Sequence, residues 1–452
     1  MKTINKPAIL GGKPTFNKPF KSYVTIGIEE KNAVNEVLKS GTLSGFIGAW
    51  CPEFFGGEKV QKLERLWKKI FNAKHAVTMN SATSCLYSAI GAIGIEPGDE
   101  VIVTPTTMTA TVTGIVLYQG IPIFADVCPN TYCIDPNQIK NKITKKTKAI
   151  IGVDIYGETA EWNEIKKIAK KYNIKTIEDS AQSLGGLYDN KKSGTLADIG
   201  IFSLNRHKHI HSGEGGICIT DNAKLADRLR LIRNHGEAVV GDKGDKNLVN
   251  LIGFNYRMTE IEAAIAIAQL KKLKTLVNHR RKLCLAIIGI FKNIDGITPP
   301  KDDYTSRVNY IDCCGSTTKT KTKHVYYYLC FKLDKKILGM SRNNFVKSLI
   351  KEGIPLGEGG YMPVYLQPMY QKQIAFGSKG YPFKGINNKK YDYSKGICPI
   401  AEEMWFEKLF YFQIQNYVPT LNEIKRFKIA IKKVLDHKKE INLHFKKINK
   451  GS

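Results

Sequence analysis

Between residues 75 and 220, short apolar runs alternate with segments in which apolar and polar positions are mixed. In one mixed segment the apolar side chains recur at i, i+3, i+4 and i+7, which is the spacing of one buried helical face. These side chains are Ile165, Ile168, Ala169 and Tyr172. Apolar runs that alternate with such helices predict an α/β domain with parallel strands joined by crossover helices. The predicted strands cover residues 76–79, 101–104, 121–125, 149–153, 175–178, 199–203 and 216–220.

A longer helical pattern begins near Thr259 and leads out of this region. Beyond it, the apolar run 325–331 predicts a strand, and a second helical pattern lies close to the C-terminus. The periodic apolar positions are Ala263, Ala264, Ile267 and Leu270 in the first helix, and Ile424, Phe427, Ile431 and Val434 in the second. We therefore expect a large α/β domain with a mostly parallel central sheet flanked by helices, and a smaller C-terminal α+β domain. The expected parts are an N-terminal arm over residues 1–30, the large domain over 31–290 and the small domain over 291–452.

The composition suits a folded protein of this size. The chain has 452 residues, of which 42% are apolar and 24% are charged, and these values are close to the averages of soluble domains. It has no apolar run long enough to span a membrane and does not open on the apolar stretch of a signal peptide. Its ten cysteines include no Cys-x-x-Cys pair, so we expect reduced thiols. We expect a cytoplasmic protein.

The formal net charge of +28 raises the possibility of a surface that binds nucleic acid or a membrane. Much of the charge comes from lysines spread singly along helical segments, and no aromatic-interleaved binding motif accompanies them. This distribution favours a solvated lysine surface over a nucleic-acid surface, and no membrane partner is expected. A basic binding protein without catalysis is kept as the alternative from a different functional class.

Two residues suggest cofactor chemistry. Asp179 follows a predicted buried strand at the carboxyl end of a parallel sheet, where ligands normally bind. Lys208 follows the strand 199–203 and precedes the glycine-rich turn 213–216. A lysine amine can condense with the aldehyde of pyridoxal phosphate (PLP), and a carboxylate facing the pyridine nitrogen keeps that nitrogen protonated. Alone, either residue would be interpreted as a helix cap or a solvated side chain; together they predict a PLP site.

A phosphate site is indicated near the start of the sheet. Small residues, among them Ser81 and Thr83, link the strand 76–79 to the helical segment that follows. Backbone amides at a helix N-terminus, together with these hydroxyls, suit an anionic phosphate. A simple Ser/Thr helix cap explains the same residues equally well, so the segment alone leaves both interpretations open.

Further segments join these residues in an ordered set of motifs. The set comprises Gly56-Gly57 to Glu64, Ser81-Ala82-Thr83, Pro97-Gly98-Asp99-Glu100, Glu178-Asp179-Ser180-Ala181-Gln182, Phe202-Ser203 to Lys208, Gly213-Glu214-Gly215-Gly216, Asn255-Tyr256-Arg257-Met258 and Cys398-Pro399. With this set, most of the chain resembles the sugar aminotransferases of the DegT/DnrJ/EryC1/StrS family. The resemblance implies the aspartate-aminotransferase fold, PLP fold type I.

The resemblance also implies roles for individual residues. Lys208 would be the Schiff-base lysine, Asp179 the partner of the pyridine nitrogen, and Gln182 a hydrogen-bond donor to the phenolic oxygen of PLP. The phosphate would be held by Ala82, Thr83 and Ser203, and by Asn255 of the neighbouring subunit, in addition to Ser81 from the helix N-terminus described above. A homodimer with active sites at the subunit interface is therefore expected.

Three positions depart from the family's pattern. An aromatic side chain usually covers the cofactor ring, but here Met108 takes that position, and its thioether can pack on the ring face. Asp154 and Tyr365 stand where histidines are frequent in the family. We expect both on the substrate side, where they would bear on the identity of the sugar.

The resemblance implies transfer of an amino group from glutamate or glutamine to a keto-sugar. We expect this keto-sugar to be linked to a nucleotide. Two alternatives keep the cofactor. One is an aminotransferase acting on a cyclitol-type ketone, and the other is a sugar dehydratase, in which a histidine replaces the lysine that is Lys208 here. His207, His209 and His211 alternate around Lys208 but lack an obvious acidic or thiol fourth ligand, so no metal site is expected.

Overall fold

A computed structural model describes residues 6–245, 248–300, 310–311, 317–318, 322–384 and 390–450. The helices are α1 (Ile28–Ser40), α2 (Glu58–Phe71), α3 (Ala82–Ile93), α4 (Thr109–Leu117), α5 (Pro136–Lys142), α6 (Trp162–Tyr172), α7 (Ala223–Arg233), α8 (Gly236–Lys243), α9 (Glu260–Phe291), α10 (Lys335–Leu338), α11 (Arg342–Lys351), α12 (Pro368–Lys372), α13 (Pro399–Glu403), α14 (Leu421–Asp436) and α15 (Lys438–Lys450). The strands are β1 (His75–Met79), β2 (Glu100–Val103), β3 (Ile121–Phe124), β4 (Thr147–Val153), β5 (Lys175–Asp179), β6 (Leu187–Tyr188), β7 (Lys191–Lys192), β8 (Ile199–Ser203), β9 (Gly216–Thr220), β10 (Ile297–Thr298), β11 (Tyr310–Ile311), β12 (Thr317–Thr318), β13 (Thr322–Lys323), β14 (Leu329–Leu333), β15 (Leu356–Glu358) and β16 (Leu409–Phe412).

The main sheet has the strand order β1-β9-β8-β5-β4-β2-β3. Every predicted strand of this region is present, and the five from β8 to β3 in that order are parallel. The strand β9 runs antiparallel to both of its neighbours, because a glycine turn rather than a crossover helix connects it to β8. The prediction of a mostly parallel sheet flanked by helices is confirmed, although a purely parallel sheet would be wrong.

Local sequence explains the helices around this sheet. The α6 helix buries Ile165, Ile168 and Ala169 as predicted, whereas Tyr172, its last residue, is 45% exposed. The α9 helix begins with a reciprocal capping box, in which Thr259 and Glu262 satisfy each other's backbone amides. The long predicted helix is therefore confirmed.

A second, antiparallel sheet has the order β10-β14-β16-β15 and shares an apolar core with α11 and α14. The predicted C-terminal helix is confirmed as α14. The predicted strand 325–331 starts only at Leu329, because the N–H groups of Val325 and Tyr327 donate to the carbonyls of Gly157 and Tyr156 instead of a strand neighbour. The boundaries of the arm and of the two domains stay predictions.

Within the described ranges, no helix combines the length and the apolar character needed to cross a membrane.

Candidate active site

Asp179 is the last residue of β5, at the carboxyl end of the parallel strands, and is 4% exposed. Its Oδ2 accepts a hydrogen bond from Thr111 Oγ1 at 2.9 Å, and its Oδ1 accepts one from the Ala181 N–H at 3.2 Å. Burial raises the pKa of Asp179, while these two hydrogen bonds act in the opposite direction. A carboxylate has about four acceptor positions, so Asp179 keeps capacity for a further donor.

Lys208 lies in the loop between β8 and β9 and is partly buried. Its Nζ lies 4.4 Å from the centroid of the Tyr327 ring. Burial lowers the pKa of Lys208 to about 8, and the charge of Asp179 works against this shift. More of this amine is therefore unprotonated near neutral pH than of an ordinary lysine, as a nucleophile or a proton carrier requires.

The backbone of the loop fixes where Lys208 stands. The Lys208 N–H donates to the Asn205 carbonyl at 2.9 Å, and the Arg206 N–H donates to the Gly213 carbonyl at 3.0 Å. Gly213, with φ of 91°, adopts a left-handed conformation that a side chain would disfavour. The glycine turn predicted after Lys208 thus joins the two ends of the loop that carries it, through the hydrogen bond between Arg206 and Gly213.

Gln182 follows Asp179 in the same loop and is also buried. Its Oε1 accepts a hydrogen bond from the Tyr156 N–H at 2.9 Å, and its Nε2 donates to the Tyr361 hydroxyl at 3.1 Å. A primary amide carries two N–H groups. These two hydrogen bonds fix the orientation of the side chain. The bond to Tyr361 uses one of the two N–H groups on Gln182 Nε2.

The predicted phosphate segment lies beside the end of β9. Ser81 caps α3, since its Oγ accepts a hydrogen bond from the Ser84 N–H at 3.0 Å. Gly216 pairs with Ser203 in the sheet register, and a Cβ on Gly216 would lie 2.5 Å from the Ser81 carbonyl. Gly216 thus lies against Ser81 and Ala82 and opposite Ser203 in the sheet. Helix capping is present and uses the Ser84 amide. The amides of Ala82 and Thr83, which lack intrahelical acceptors, stay available for an anion.

Three other predicted cofactor residues are on the surface. Thr83 is exposed in the first turn of α3, and Met108 is 55% exposed immediately before α4, the helix that carries Thr111. Asn255 is exposed, and its Oδ1 accepts a hydrogen bond from Arg257 Nε at 2.8 Å.

The sequence did not single out Thr111, Tyr327 or Tyr361, which contact Asp179, Lys208 and Gln182. Two signals were present. Thr111 lies in the first turn of a helix that follows β2, at the same edge of the sheet as Asp179, and Tyr327 is the centre of a run of three tyrosines. Polar and aromatic residues at such strand ends are candidates for ligand contacts.

Asp154 and Tyr365, both expected on the substrate side, are held by hydrogen bonds inside the fold. Both are fully buried: Asp154 is bonded within the loops behind the strand ends, and the Tyr365 hydroxyl donates to Glu402 Oε1. Their polar atoms are used by the fold itself. Across the residues that the structure describes, no group of three or more His, Cys, Asp or Glu side chains is arranged to hold a metal ion.

Comparisons with known proteins agree with this geometry. The model of the DegT/DnrJ/EryC1/StrS aminotransferase family matches residues 25–382. The spore coat polysaccharide biosynthesis protein SpsC of Bacillus subtilis is 30% identical over 83% of this chain and 90% of its own length. A GDP-perosamine synthase of Caulobacter vibrioides is 31% identical over 70% of this chain and 79% of its own. The solved structure of an aminotransferase from Psychrobacter cryohalolentis is 25% identical with a TM-score of 0.76, covering 93% of this chain and 99% of that one.

These matches confirm the resemblance that the sequence motifs predict, together with its fold, its PLP cofactor and its identification as a sugar aminotransferase.

Proposed function

This chain belongs to the DegT/DnrJ/EryC1/StrS aminotransferase family, and we propose that it moves an amino group from glutamate or glutamine to a nucleotide-linked keto-sugar. The observation that carries the proposal is the Lys208 amine, with its pKa lowered to about 8, in the same site as the buried Asp179. The relative named GDP-perosamine synthase supports an acceptor joined to a nucleotide.

The residues present fit PLP, whose aldehyde, ring nitrogen and phosphate each need a different partner. Lys208 offers an amine, Asp179 offers a buried carboxylate with spare acceptor capacity, and the Ser81 segment offers helix amides that Gly216 leaves uncovered. When bound, PLP supplies an electron sink for the carbon that loses or gains the amino group. In our proposal Gln182 donates to the phenolic oxygen, and Ala82, Thr83 and Ser203 contact the phosphate.

Asp179 would hold a proton at the ring nitrogen. Burial has already raised the pKa of its carboxyl group, so a proton shared with the cofactor relieves the cost of a buried charge. Thr111 orients Oδ2 and the Ala181 amide orients Oδ1.

Lys208 would move the proton between the substrate carbon and the cofactor, because an amine with a pKa of about 8 can both accept and return a proton near neutral pH. Its amine would also displace the aminated product and thereby close the cycle. A histidine moves protons but cannot form that covalent link. The residue at position 208 thus favours amination over dehydration.

We also propose an active homodimer that shares its two sites. The exposed position of Asn255, in the segment that approaches a neighbouring subunit in the family, supports this arrangement. Inactive Lys208→Ala and Asn255→Asp subunits, refolded together, should form heterodimers that regain one complete site. Heterodimers as inactive as both parents would contradict the shared site.

The experiment that tests the function supplies glutamate or glutamine as donor and follows the products by mass spectrometry. The acceptors are a GDP-linked keto-sugar, a TDP-linked keto-sugar, the same sugars without nucleotide, and a cyclitol ketone. We expect nitrogen to appear in a nucleotide-linked sugar, with the donor consumed in equal amount. Preferential amination of the cyclitol, or loss of water without use of the donor, would overturn the proposal. Borohydride reduction and peptide mapping should locate the cofactor on Lys208.

A further inference from the structure

The carboxyl end of β4 carries a carboxylate that the proposed reaction does not use. Asp154 follows β4 directly and has no exposed surface. Its Oδ1 accepts hydrogen bonds from the Ala160 N–H at 3.0 Å and from Trp162 Nε1 at 3.1 Å. One oxygen of this carboxylate therefore fixes the chain that leads from β4 into α6.

The other oxygen, Oδ2, reaches across to the next strand connection. It lies 2.9 Å from the hydroxyls of both Ser180 and Ser183 and 3.1 Å from that of Ser193, and the Ser183 and Ser193 hydroxyls are also hydrogen-bonded to each other at 2.6 Å. Because each hydroxyl has one O–H, one of this pair donates to the other, while its partner and Ser180 donate to Oδ2. Ser180 directly follows Asp179, and Ser183 directly follows Gln182. Asp154 thus holds both ends of the short loop that carries the two proposed cofactor contacts.

The turn that begins at Asp154 also touches the site through its backbone. Tyr156 adopts a left-handed φ of 58°, donates its N–H to Gln182 Oε1 at 2.9 Å, and accepts the Tyr327 N–H at 2.7 Å. A Cβ on Gly157 would lie 2.6 Å from the Tyr326 nitrogen, so this close approach requires glycine. The turn consequently connects Gln182 with Tyr327, whose ring covers the Lys208 amine.

A second buried carboxyl group completes the arrangement. Glu178, next to Asp179 in β5, accepts the Gly194 N–H at 2.6 Å and the Leu196 N–H at 2.7 Å. It is also hydrogen-bonded to Asp154, and burial together with the charge of Asp154 raises the pKa of Glu178 well above its usual range. A protonated Glu178 beside Asp154 lets the ends of β4 and β5 approach without repulsion between two charges.

We propose that Asp154 is a positioning residue, which holds Asp179 and Gln182 where they meet the cofactor. The assignment rests on the proposed function for the roles of those two residues. Asp154 itself touches neither substrate nor cofactor. Its Oδ2 contacts three hydroxyls from the connection between β5 and β8 and accepts from Ser180 and from one of the pair Ser183 and Ser193, whereas an asparagine places an N–H₂ group on one side of the carboxamide. The loop 180–183 would then lose its anchor while the volume at position 154 stays the same.

The test compares Asp154→Asn with a matched control, Asp126→Asn. Asp126 is also buried and follows β3, but it accepts from the backbone of Ile400 at 2.9 Å and Ala401 at 3.0 Å, far along the chain from the loop 180–183. In cofactor-free protein, amide hydrogen exchange of residues 179–184 should become about tenfold faster in Asp154→Asn, as expected for a lost charged hydrogen bond. In Asp126→Asn this segment should exchange as in the wild type.

Adding PLP gives a second readout. Asp154→Asn should bind PLP about tenfold more weakly and shift its visible absorbance band, because the groups around the ring are displaced. Equal exchange of residues 179–184 in both variants, with an unchanged absorbance band, would overturn the proposal and leave Asp154 as a residue of the fold alone.

A double variant keeps the test decisive if Asp154→Asn fails to fold. Ser180→Ala with Ser183→Ala retains the charge at position 154 and removes two of the hydroxyls that Oδ2 holds. It should show the same faster exchange and the same absorbance shift, and wild-type behaviour would contradict the proposal. The exchange measurement uses no cofactor and no sugar. It therefore succeeds or fails independently of whether a nucleotide-linked sugar is aminated.

Discussion

The ends of β4 and β5 are neighbours in the sheet. Asp154 directly follows β4, Asp179 is the last residue of β5, and both are almost completely buried. The Asp154 N–H donates to the Asp179 carbonyl at 3.0 Å, so the two residues share one backbone contact. Their side chains differ in what surrounds them. The carboxylate of Asp154 contacts two N–H groups, three serine hydroxyls and the carboxyl group of Glu178, whereas Asp179 accepts from Thr111 and from the Ala181 amide.

The different surroundings of the two carboxylates indicate a structural role for one and a catalytic role for the other. A carboxylate whose acceptor positions are filled by its own chain is stabilised and fixes the loops around it. One that is buried with spare capacity costs free energy until a ligand supplies the missing donor. We therefore infer that Asp154 holds the site together and that Asp179 faces the cofactor.

The largest effect should come from Asp179→Asn, which removes the charge from the open carboxylate. The neutral amide cannot hold a proton at the ring nitrogen, so turnover should fall by about a thousandfold, within the range for a positioned catalytic group. PLP should still bind, because Lys208 and the phosphate contacts are unchanged. Turnover and bound PLP per subunit check this result, with Asp126→Asn as the control. Near-normal turnover in a folded variant would contradict the role of Asp179.

Stability should show the opposite order. In cofactor-free protein at neutral pH, Asp154→Asn should lower the free energy of unfolding by about 2–4 kcal/mol, because a buried hydrogen-bonded network is broken. Asp179→Asn should be neutral or stabilising. Burial raises the pKa of Asp179 in the folded state, so its ionised form destabilises the fold, and this cost grows as pH rises through that pKa.

Urea denaturation at neutral and at acidic pH measures both effects. The gain from Asp179→Asn should shrink as pH falls, because protonation then removes the charge from the wild-type side chain as well. Equal destabilisation by Asp179→Asn and Asp154→Asn would contradict the distinction between Asp179, a carboxylate with spare acceptor capacity, and Asp154, a carboxylate whose acceptor positions are occupied.

The same distinction explains what the sequence could predict. The strands and the main helices follow from local patterns of apolar residues, and Asp179 and Lys208 follow from their places at strand ends. The contacts that define the site join distant parts of the chain: Thr111 is 68 residues from Asp179, and Tyr361 is 179 residues from Gln182. Such pairs depend on tertiary packing, which local periodicity does not contain.

Asp154 is the clearest example of a role that local sequence patterns do not predict. From the sequence, it stands at a position where the family often has histidine, so a substrate contact is expected. Whether the acceptor positions of this carboxylate are occupied depends on Ser180 and Ser183, which follow β5, and on Ser193, which follows β7. Their hydroxyls meet Asp154 only in the folded chain. The covering role of Met108 and the dimer contact of Asn255 stay predictions.

A smaller effect should follow from Thr111→Val, which keeps the side-chain shape but removes the donor to Asp179 Oδ2. Loss of one hydrogen bond to a charged group should lower turnover about tenfold, without the stability loss of Asp154→Asn. Thr111→Ser should restore most of the activity. Thr113→Val is the control on the same helix, because the Thr113 hydroxyl contacts the Tyr87 hydroxyl at 3.0 Å instead of Asp179. Equal losses in the two valine variants would show that Thr111 matters only for packing.

The smallest effect concerns the protonation of Lys208. In cofactor-free protein, the rate of PLP capture should rise with pH around a midpoint of about 8, because only the unprotonated amine attacks the aldehyde. The charge of Asp179 opposes the lowering of this pKa by burial, so Asp179→Asn should move the midpoint below 8. Asp154→Asn leaves Asp179 charged and should keep the midpoint closer to 8. Stopped-flow absorbance over a pH series measures all three proteins. A midpoint near 10.5 in the wild type would refute the lowered pKa, and equal shifts in both variants would mean that Lys208 does not distinguish the open carboxylate from the filled one.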